Sequence, residues 1–311
     1  MVSFTERRVI KMKKSFLGRL RDGGWFFYLI TFILALICFI PFWIAVASSF
    51  SSEASITASG FVFWPKEFSL DTYKFLTMNK GAMVLRAYLV TFLVVAAGTL
   101  YSLVVTTCFA YATAQKKTIF RYANALSFFA WFTTVFSGGV LPWYIMTTRY
   151  YHLQNNIWAL FVPSAMSVFN MIILRSNFKT TPEELYESAR IDGAGNMCIF
   201  LKIAIPLNKV ALVTVTLFYA LGYWNDFHLS LYLITKQDLY TVQKMLYQMM
   251  SNISALMSNS SAISGASAIS QIPITTSRMC MTVFATLPVL VFYPFAQKYF
   301  VQGLTVGAVK G

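Results

Sequence analysis

The chain is 311 residues long, 57% apolar and 12% charged, with a net charge of +14 and a mean hydropathy of +0.61. Soluble domains carry charge on about a quarter of their residues, so this composition excludes an ordinary soluble fold and indicates an integral membrane protein. A basic excess would point to nucleic acid in a soluble protein, but here Lys and Arg cluster in short loops between apolar runs, where they report topology, and nucleic-acid binding is not expected.

The basic stretch 1–24 precedes a first apolar run over 25–48, long enough to cross a ~30 Å hydrocarbon core and without a convincing small-residue cleavage site. It reads as an uncleaved span with a cytoplasmic start, kinked at Pro41. An outer loop over 50–83 carries mixed charge, a Ser-Leu-Asp start for a short surface helix at 72–76, and the interface-seeking rings Phe61, Phe63 and Trp64. The second span is expected over 84–114, where Ala96, Ala97, Gly98 and Thr99 would let another helix approach closely. The third, 122–145, contains Ser137-Gly138-Gly139-Val140-Leu141-Pro142. Glycine and proline within a span predict a break, tolerated where it packs on protein or lines a wet cavity. The fourth span is expected over 156–174 with Pro163 and Asn170, the fifth over 199–224, and the sixth over 280–300 with Pro288 and Pro294. Between the last two lies an extracytoplasmic loop, 225–278. Its charge-free, Ser-, Ala- and Met-rich part, 249–277, is expected to be partly disordered or to cap a partner. The fold class that follows is all-α, integral membrane, with six transmembrane helices.

The longest polar interruption in the second half is 180–206. Thr181-Pro182-Glu183-Glu184 reads as a helix start, with Thr181 as N-cap, Pro182 at the first helical position and Glu184 closing a capping box. Leu185, Ala189 and Ile191 form an apolar face, and Gly193 stands where a left-handed cap would end the helix. Asn196 then starts a second helix that becomes strongly apolar. The expected unit is a helix, a glycine elbow and a second helix entering the membrane.

Glu187-Ser188-Ala189, Gly193 four residues after Ala189, and Ile203-Ala204-Ile205-Pro206 match the spacing of the EAA loop. On these residues the chain resembles the permeases of binding-protein-dependent ABC importers. Ser188 and Ile205 depart slightly from the usual pattern, and Asp192, Ala194 and Phe200 agree with the carbohydrate-uptake, maltose-type branch. The tail, Tyr293-Pro294-Phe295-Ala296-Gln297 through Gly307-Ala308-Val309-Lys310-Gly311, together with Phe136-Ser137-Gly138-Gly139 and Trp224-Asn225-Asp226-Phe227, is similar to the LplC-type permeases of Gram-positive bacteria.

The resemblance implies a type I ABC importer permease fold, one permease domain over 25–311, and cytoplasmic coupling helices. It also implies that Leu185, Glu187, Ser188, Ala189, Asp192, Gly193, Ala194, Phe200 and Pro206 engage the ATPase. The implied partners are a second, LplB-type permease, an ABC ATPase dimer, an extracytoplasmic sugar-binding lipoprotein, an oligosaccharide substrate and membrane lipid. ATP and Mg would be bound by the ATPase, and no cofactor by this chain. With the EAA loop and both termini placed in the cytoplasm, most of the 25 Lys and Arg residues fall inside, as the positive-inside rule requires of a multi-pass plasma-membrane protein.

No catalytic constellation is visible. His152 and His228 lie on expected outer loops without triad spacing, there is no P-loop, and Cys38, Cys108, Cys198 and Cys280 are too scattered for a disulfide framework or a metal site. A sugar ring is bound by aromatic faces plus hydrogen-bonding side chains. Tyr223, Trp224, Asn225, Asp226 and Asn170 supply those types near outer helix ends, with Gly138, Gly139, Trp143 and Tyr144 at the break in the third span. Interfaces also attract Trp and Tyr without any ligand. The leading expectation is a sugar-importer permease. An importer of peptide or amino acid, or a membrane scaffold without an ATPase, are the alternatives.

Overall fold

The computed structural model describes residues 25–260 and 273–308. The basic N-terminal stretch, the segment 261–272 and the final Val309-Lys310-Gly311 lie outside the described residues, as do the expectations placed on them. The described chain is helical, with a single isolated bridge between Ser51 and Phe68. Its elements are α1 (Trp25–Ser49), α2 (Glu53–Ser59), α3 (Asp71–Ala114), α4 (Ala123–Val135), α5 (Val140–Tyr150), α6 (Val168–Thr180), α7 (Glu183–Ile191), α8 (Asn196–Leu207), α9 (Lys209–Asn225), α10 (His228–Leu233), α11 (Val242–Ser260) and α12 (Ile274–Ala308).

Three helices are each long and apolar enough to cross a membrane: α1, α3 from Gly81, and α12 as far as Val291. Three bent pairs pass the same test if each is counted as one span, giving six by length and composition. They are α4 with α5, bent by 114°; the 3-10 turns Ile157–Ser164 with α6, bent by 53°; and α8 with α9, bent by 82°.

Each break has a local cause. Gly139 precedes α5 at φ +87, a conformation that L side chains rarely adopt, and Pro142 sits in the first turn of α5, where its missing N–H costs nothing. Ser167, whose hydroxyl accepts from the Asn170 amide (3.4 Å), starts α6 after the irregular turn around Pro163. Within α8, Pro206 removes a backbone donor, and the preceding turn, Phe200–Ala204, widens to π geometry before the chain turns at Asn208.

Several expected boundaries move. The short surface helix at 72–76 is the opening turn of α3, which runs unbroken for 44 residues, about 66 Å at 1.5 Å per residue. The fourth span continues to Thr180 rather than 174, so Arg175 and Lys179 ride on the helix. Arg175 Nε donates to the Thr113 carbonyl (3.0 Å), one of the orphan acceptors at the end of α3, and its terminal nitrogen reaches Asn124 Oδ1 (3.3 Å). The fifth span, expected over 199–224, is the bent pair α8 and α9, broken at Asn208. Residues 249–260 are helical, within α11, rather than disordered.

The chain divides into two compact units, whose described residues are 25–74 with 273–283, and 75–260 with 284–308. In the first, Phe50 stacks between Phe68 (5.6 Å) and Tyr73 (5.1 Å). The Glu53 carboxylate accepts from the Thr275 and Thr276 amides (2.9 and 2.8 Å) and from the Thr276 hydroxyl (2.7 Å), closing the N-terminus of α12 and explaining its early start. Burial pushes this carboxyl up, but the hydrogen bonds outweigh it and hold it below its ordinary value of 4.5.

In the second unit the core gathers Ala110, Leu174, Phe178, Ile199, Ala204 and Val215 around a polar seam. Tyr219 and Tyr223, four residues apart on one face of α9, donate or accept at Thr106 (2.5 Å) and Ser102 (2.7 Å) on α3. Gly98 lets α9 come close, because a Cβ there would sit 2.9 Å from Phe161 Cβ and 3.0 Å from the Tyr223 ring. The small-residue stretch of the second span thus does what its composition predicts.

Candidate coupling site and substrate path

The segment 180–207 folds as a helix, an elbow and a second helix. The start of α7 differs from the capping box expected. Pro182 is the N-cap, extended at ψ 131, and no side chain caps the helix. Thr181 lies one residue too early because the extended Pro182 displaces the first helical residue to Glu183. Its hydroxyl instead accepts from Asn208 Nδ2 (3.0 Å), which also donates to the Ala204 carbonyl (3.0 Å). This buried amide ties the entry to α7 to the α8–α9 joint.

The end of α7 is as the glycine predicts. Gly193 has φ +83, its amide donates to the Arg190 carbonyl (3.0 Å), and the Ala194 amide donates back to Ala189 (2.9 Å). These are the two bonds of a Schellman cap. A Cβ on Gly193 would meet nothing within 4 Å, so the requirement there is the dihedral and not space.

The faces of α7 divide sharply. Tyr186 is buried at 8% exposure and, with half-buried Ala189 and Ala194, packs on the chain's own core, as does buried Phe200, whose ring lies 4.8 Å from Tyr111. Leu185 at 45% and Ile191 at 86% are exposed, as are Glu187, Ser188, Asp192, Gly193 and Pro206. The expectation that Ala189 shares an outward apolar face with Leu185 is therefore corrected: at i and i+3, Tyr186 and Ala189 face inward together. Lys116, on the turn after α3, forms an ion pair with Glu183 at the start of α7, and this hydrogen bond raises the lysine's pKa.

Tyr186 and Asn208 were missed by sequence reasoning. Pro206 and Asn208 interrupting an apolar run were the signal for the joint. For Tyr186 the signal was weaker, an aromatic three residues before Ala189 in a polar helix.

The expected substrate-path residues do not gather at one place. Gly138 and Gly139 lie exposed at the sharpest bend, where the Gly139 amide donates to Ser137 Oγ (3.2 Å). Trp143 and Tyr144 are half-buried on α5, with Trp143 edge-on to Tyr232 at 6.3 Å. Asn170 is buried. Tyr223 and Trp224 are each 6% exposed, with the Tyr223 hydroxyl also donating to the Phe161 carbonyl (3.2 Å) and the Trp224 indole to Ala285 (3.1 Å). Asn225 is exposed and its amide donates to Leu221 (2.9 Å). Asp226 is half-buried and accepts from the Leu229 amide (3.2 Å), capping α10. Burial raises its carboxyl above the ordinary value, against the opposing Leu229 bond and His228.

Among the described residues, up to six candidate spans, with a polar helix and elbow leading into one of them, give the helical architecture of a membrane protein. The polygalacturonan/rhamnogalacturonan transport system permease protein YtcP of Bacillus subtilis (strain 168) is 35% identical to the chain over 279 residues, covering 90% of this chain and 95% of that protein. The protein LplC of the same organism is 36% identical over 276 residues, covering 88% and 90%. A chain in the crystal structure of a bacterial ABC transporter involved in the import of the acidic polysaccharide alginate superposes with a TM-score of 0.73 at 26% identity, covering 96% of this chain and 99% of that one. No protein-family model matches. The chain belongs to the ABC importer permeases of the carbohydrate-uptake branch, and is a transport subunit rather than an enzyme.

Proposed function

We propose that this chain is one permease subunit of an importer for an oligosaccharide or glycan fragment, driven by a separate ATPase through the 180–206 loop. The observation that carries this reading is the Schellman-capped α7, which anchors Tyr186 inward while leaving Leu185 and Ile191 exposed for another protein to cover. ATP and Mg belong on the ATPase dimer. A second, LplB-type permease and a sugar-binding lipoprotein complete the assembly, and the chain crosses the plasma membrane several times with both termini in the cytoplasm. Residues 25–311 act as one permease domain.

In this mechanism closure of the ATPase dimer moves α7 as a rigid body. Two links carry the motion onward: the elbow at Gly193 into α8, and the Thr181–Asn208 bond into the joint from which α9 departs. Tilting of α9 exchanges an inward-facing cavity for an outward-facing one. The substrate route is assigned to the break at Gly138–Gly139 with Trp143, Tyr144 and the exposed Asn225. Tyr223 and Trp224 shape it by bonding to neighbouring segments, buried Asn170 by packing, and Asp226 by capping α10. An acidic oligosaccharide is the favoured cargo, since YtcP is named for polygalacturonan and rhamnogalacturonan transport and the structural relative for import of the acidic polysaccharide alginate.

The decisive experiment is tagged purification in mild detergent, with identification of what copurifies and ATPase assay with and without loaded binding protein. Recovery of a second permease and an ATPase, stimulated by an oligogalacturonide-loaded lipoprotein, is expected. Reproducible isolation of the chain alone would overturn the reading. In the assembled importer, Gly193→Leu should abolish ATP-driven uptake while hydrolysis persists; intact uptake would sink the lever.

A further inference from the structure

A cavity of about 360 Å³ opens beside α7 where the turn after α3 meets the ends of α4 and α6. Lys116, Lys117, Lys179 and Arg190 line it against one carboxylate, Glu183. That carboxylate is taken by Lys116, and Glu187 acts on Lys116 from further away. Among the described residues no ion pair joins Lys117, Lys179 or Arg190 to an acid. Tyr186 also lines the cavity, and its hydroxyl is buried with no hydrogen-bonding partner. A buried hydroxyl without a partner carries an unrecovered desolvation cost, and three unpaired cations around a pocket repel one another. One ligand relieves both: an oxyanion with several acceptor oxygens.

We infer that this cavity is a phosphate-group site, filled by the headgroup of an anionic lipid packed beside the coupling helix. Its position favours the lipid source. Lys117 and Lys179 flank the ends of apolar helices α3 and α6, where long cationic side chains meet the headgroup layer, and basic pockets between membrane helices bind such groups. A bound phosphate would bridge α6, α7 and the turn after α3, so the stiffness of the coupling helix would depend on the surrounding lipid. The inference needs the membrane setting and not the importer assembly, so the two can fail separately.

The test uses the protein with whatever copurifies, stripped of lipid in detergent and titrated with phosphatidylglycerol or phosphatidylcholine, read by native mass spectrometry. Phosphatidylglycerol should bind in clear preference. Lys117→Gln with Lys179→Gln should weaken it about twenty-five-fold, each lysine near an anionic headgroup being worth about a factor of five, and Lys117→Arg with Lys179→Arg should restore it. Should the double variant fold poorly, Tyr186→Phe removes only the unpaired hydroxyl and should weaken binding about five-fold. Inorganic phosphate displacing the lipid, and binding as tightly without it, would keep the oxyanion site and assign it to the free ion. Equal retention of both lipids, or equal retention by wild type and variants, would overturn the inference. So would binding to the chain alone that vanishes in the full complex, since the cavity would then belong to the ATPase interface.

Discussion

The seam along α9 and the outward face of α7 are built from similar residue types and finished in opposite ways. Tyr219, Tyr223 and Trp224 are buried to 6% exposure or less, with each hydroxyl and indole nitrogen hydrogen-bonded inside the chain. Leu185 and Ile191 remain exposed and are not among the residues packed on the core. The α9 aromatics are completed by their own chain, whereas the α7 aliphatics are left exposed. Residue type alone does not separate the two cases, because what differs is whether a neighbouring helix approaches closely enough to cover the side chain.

That contrast can be broken at the seam first. Gly98→Leu would force a side chain into space already filled by Phe161 and Tyr223, and overpacking of this kind costs about 3 kcal/mol or more. The expected result is loss of folded protein, seen as a collapsed detergent-solubilised yield and melting temperature. A stable variant would mean the α3–α9 approach is looser than it looks. Next, Tyr223→Phe leaves Ser102 without its partner, at about 1–3 kcal/mol. The melting temperature should fall while the KM for uptake stays put; a raised KM at unchanged stability would return Tyr223 to the substrate.

At the loop, Thr181→Ala removes the acceptor for Asn208 rather than a helix cap. The loss should be about 1 kcal/mol, Thr181→Ser should be silent, and helix content should not change. If Thr181→Ala frays α7 by hydrogen exchange and Asn208→Ala does not, the capping reading was right after all.

The smallest effect is in the first unit. Glu53 has its folded pKa below 4.5, so its contribution is present above that value and is lost as pH falls through the lower, folded value. Glu53→Gln should flatten the acid limb of the stability curve and leave neutral-pH stability lower. An unchanged acid limb would show that the carboxylate does not hold α12.

Much of the loop was legible before any coordinates. Gly193 needed only its position after Arg190-Ile191-Asp192, because a left-handed cap is a local requirement that few other residues meet. The break at Gly138-Gly139 and the membrane class were readable for the same reason, since backbone dihedrals and hydropathy depend on neighbours in sequence. The Thr181 cap failed on a local competition that sequence does not rank: Pro182 takes an extended ψ and moves the helix start by one residue. For Tyr223 and Trp224 the sequence did not show that they are buried in a seam, since an amphipathic ring suits a sugar, an interface or a seam equally well. The 311 residues by themselves determined the helical membrane class, the spacing of the 180–206 loop and the places where helices break. Only the tertiary structure decided that α3 lies close enough at Gly98 to cover Tyr223, that Asn208 reaches Thr181, and that Lys116, Lys117 and Lys179 line one cavity with Tyr186. Those pairings join residues far apart in the chain, and distance in space is set by packing rather than by order along the backbone.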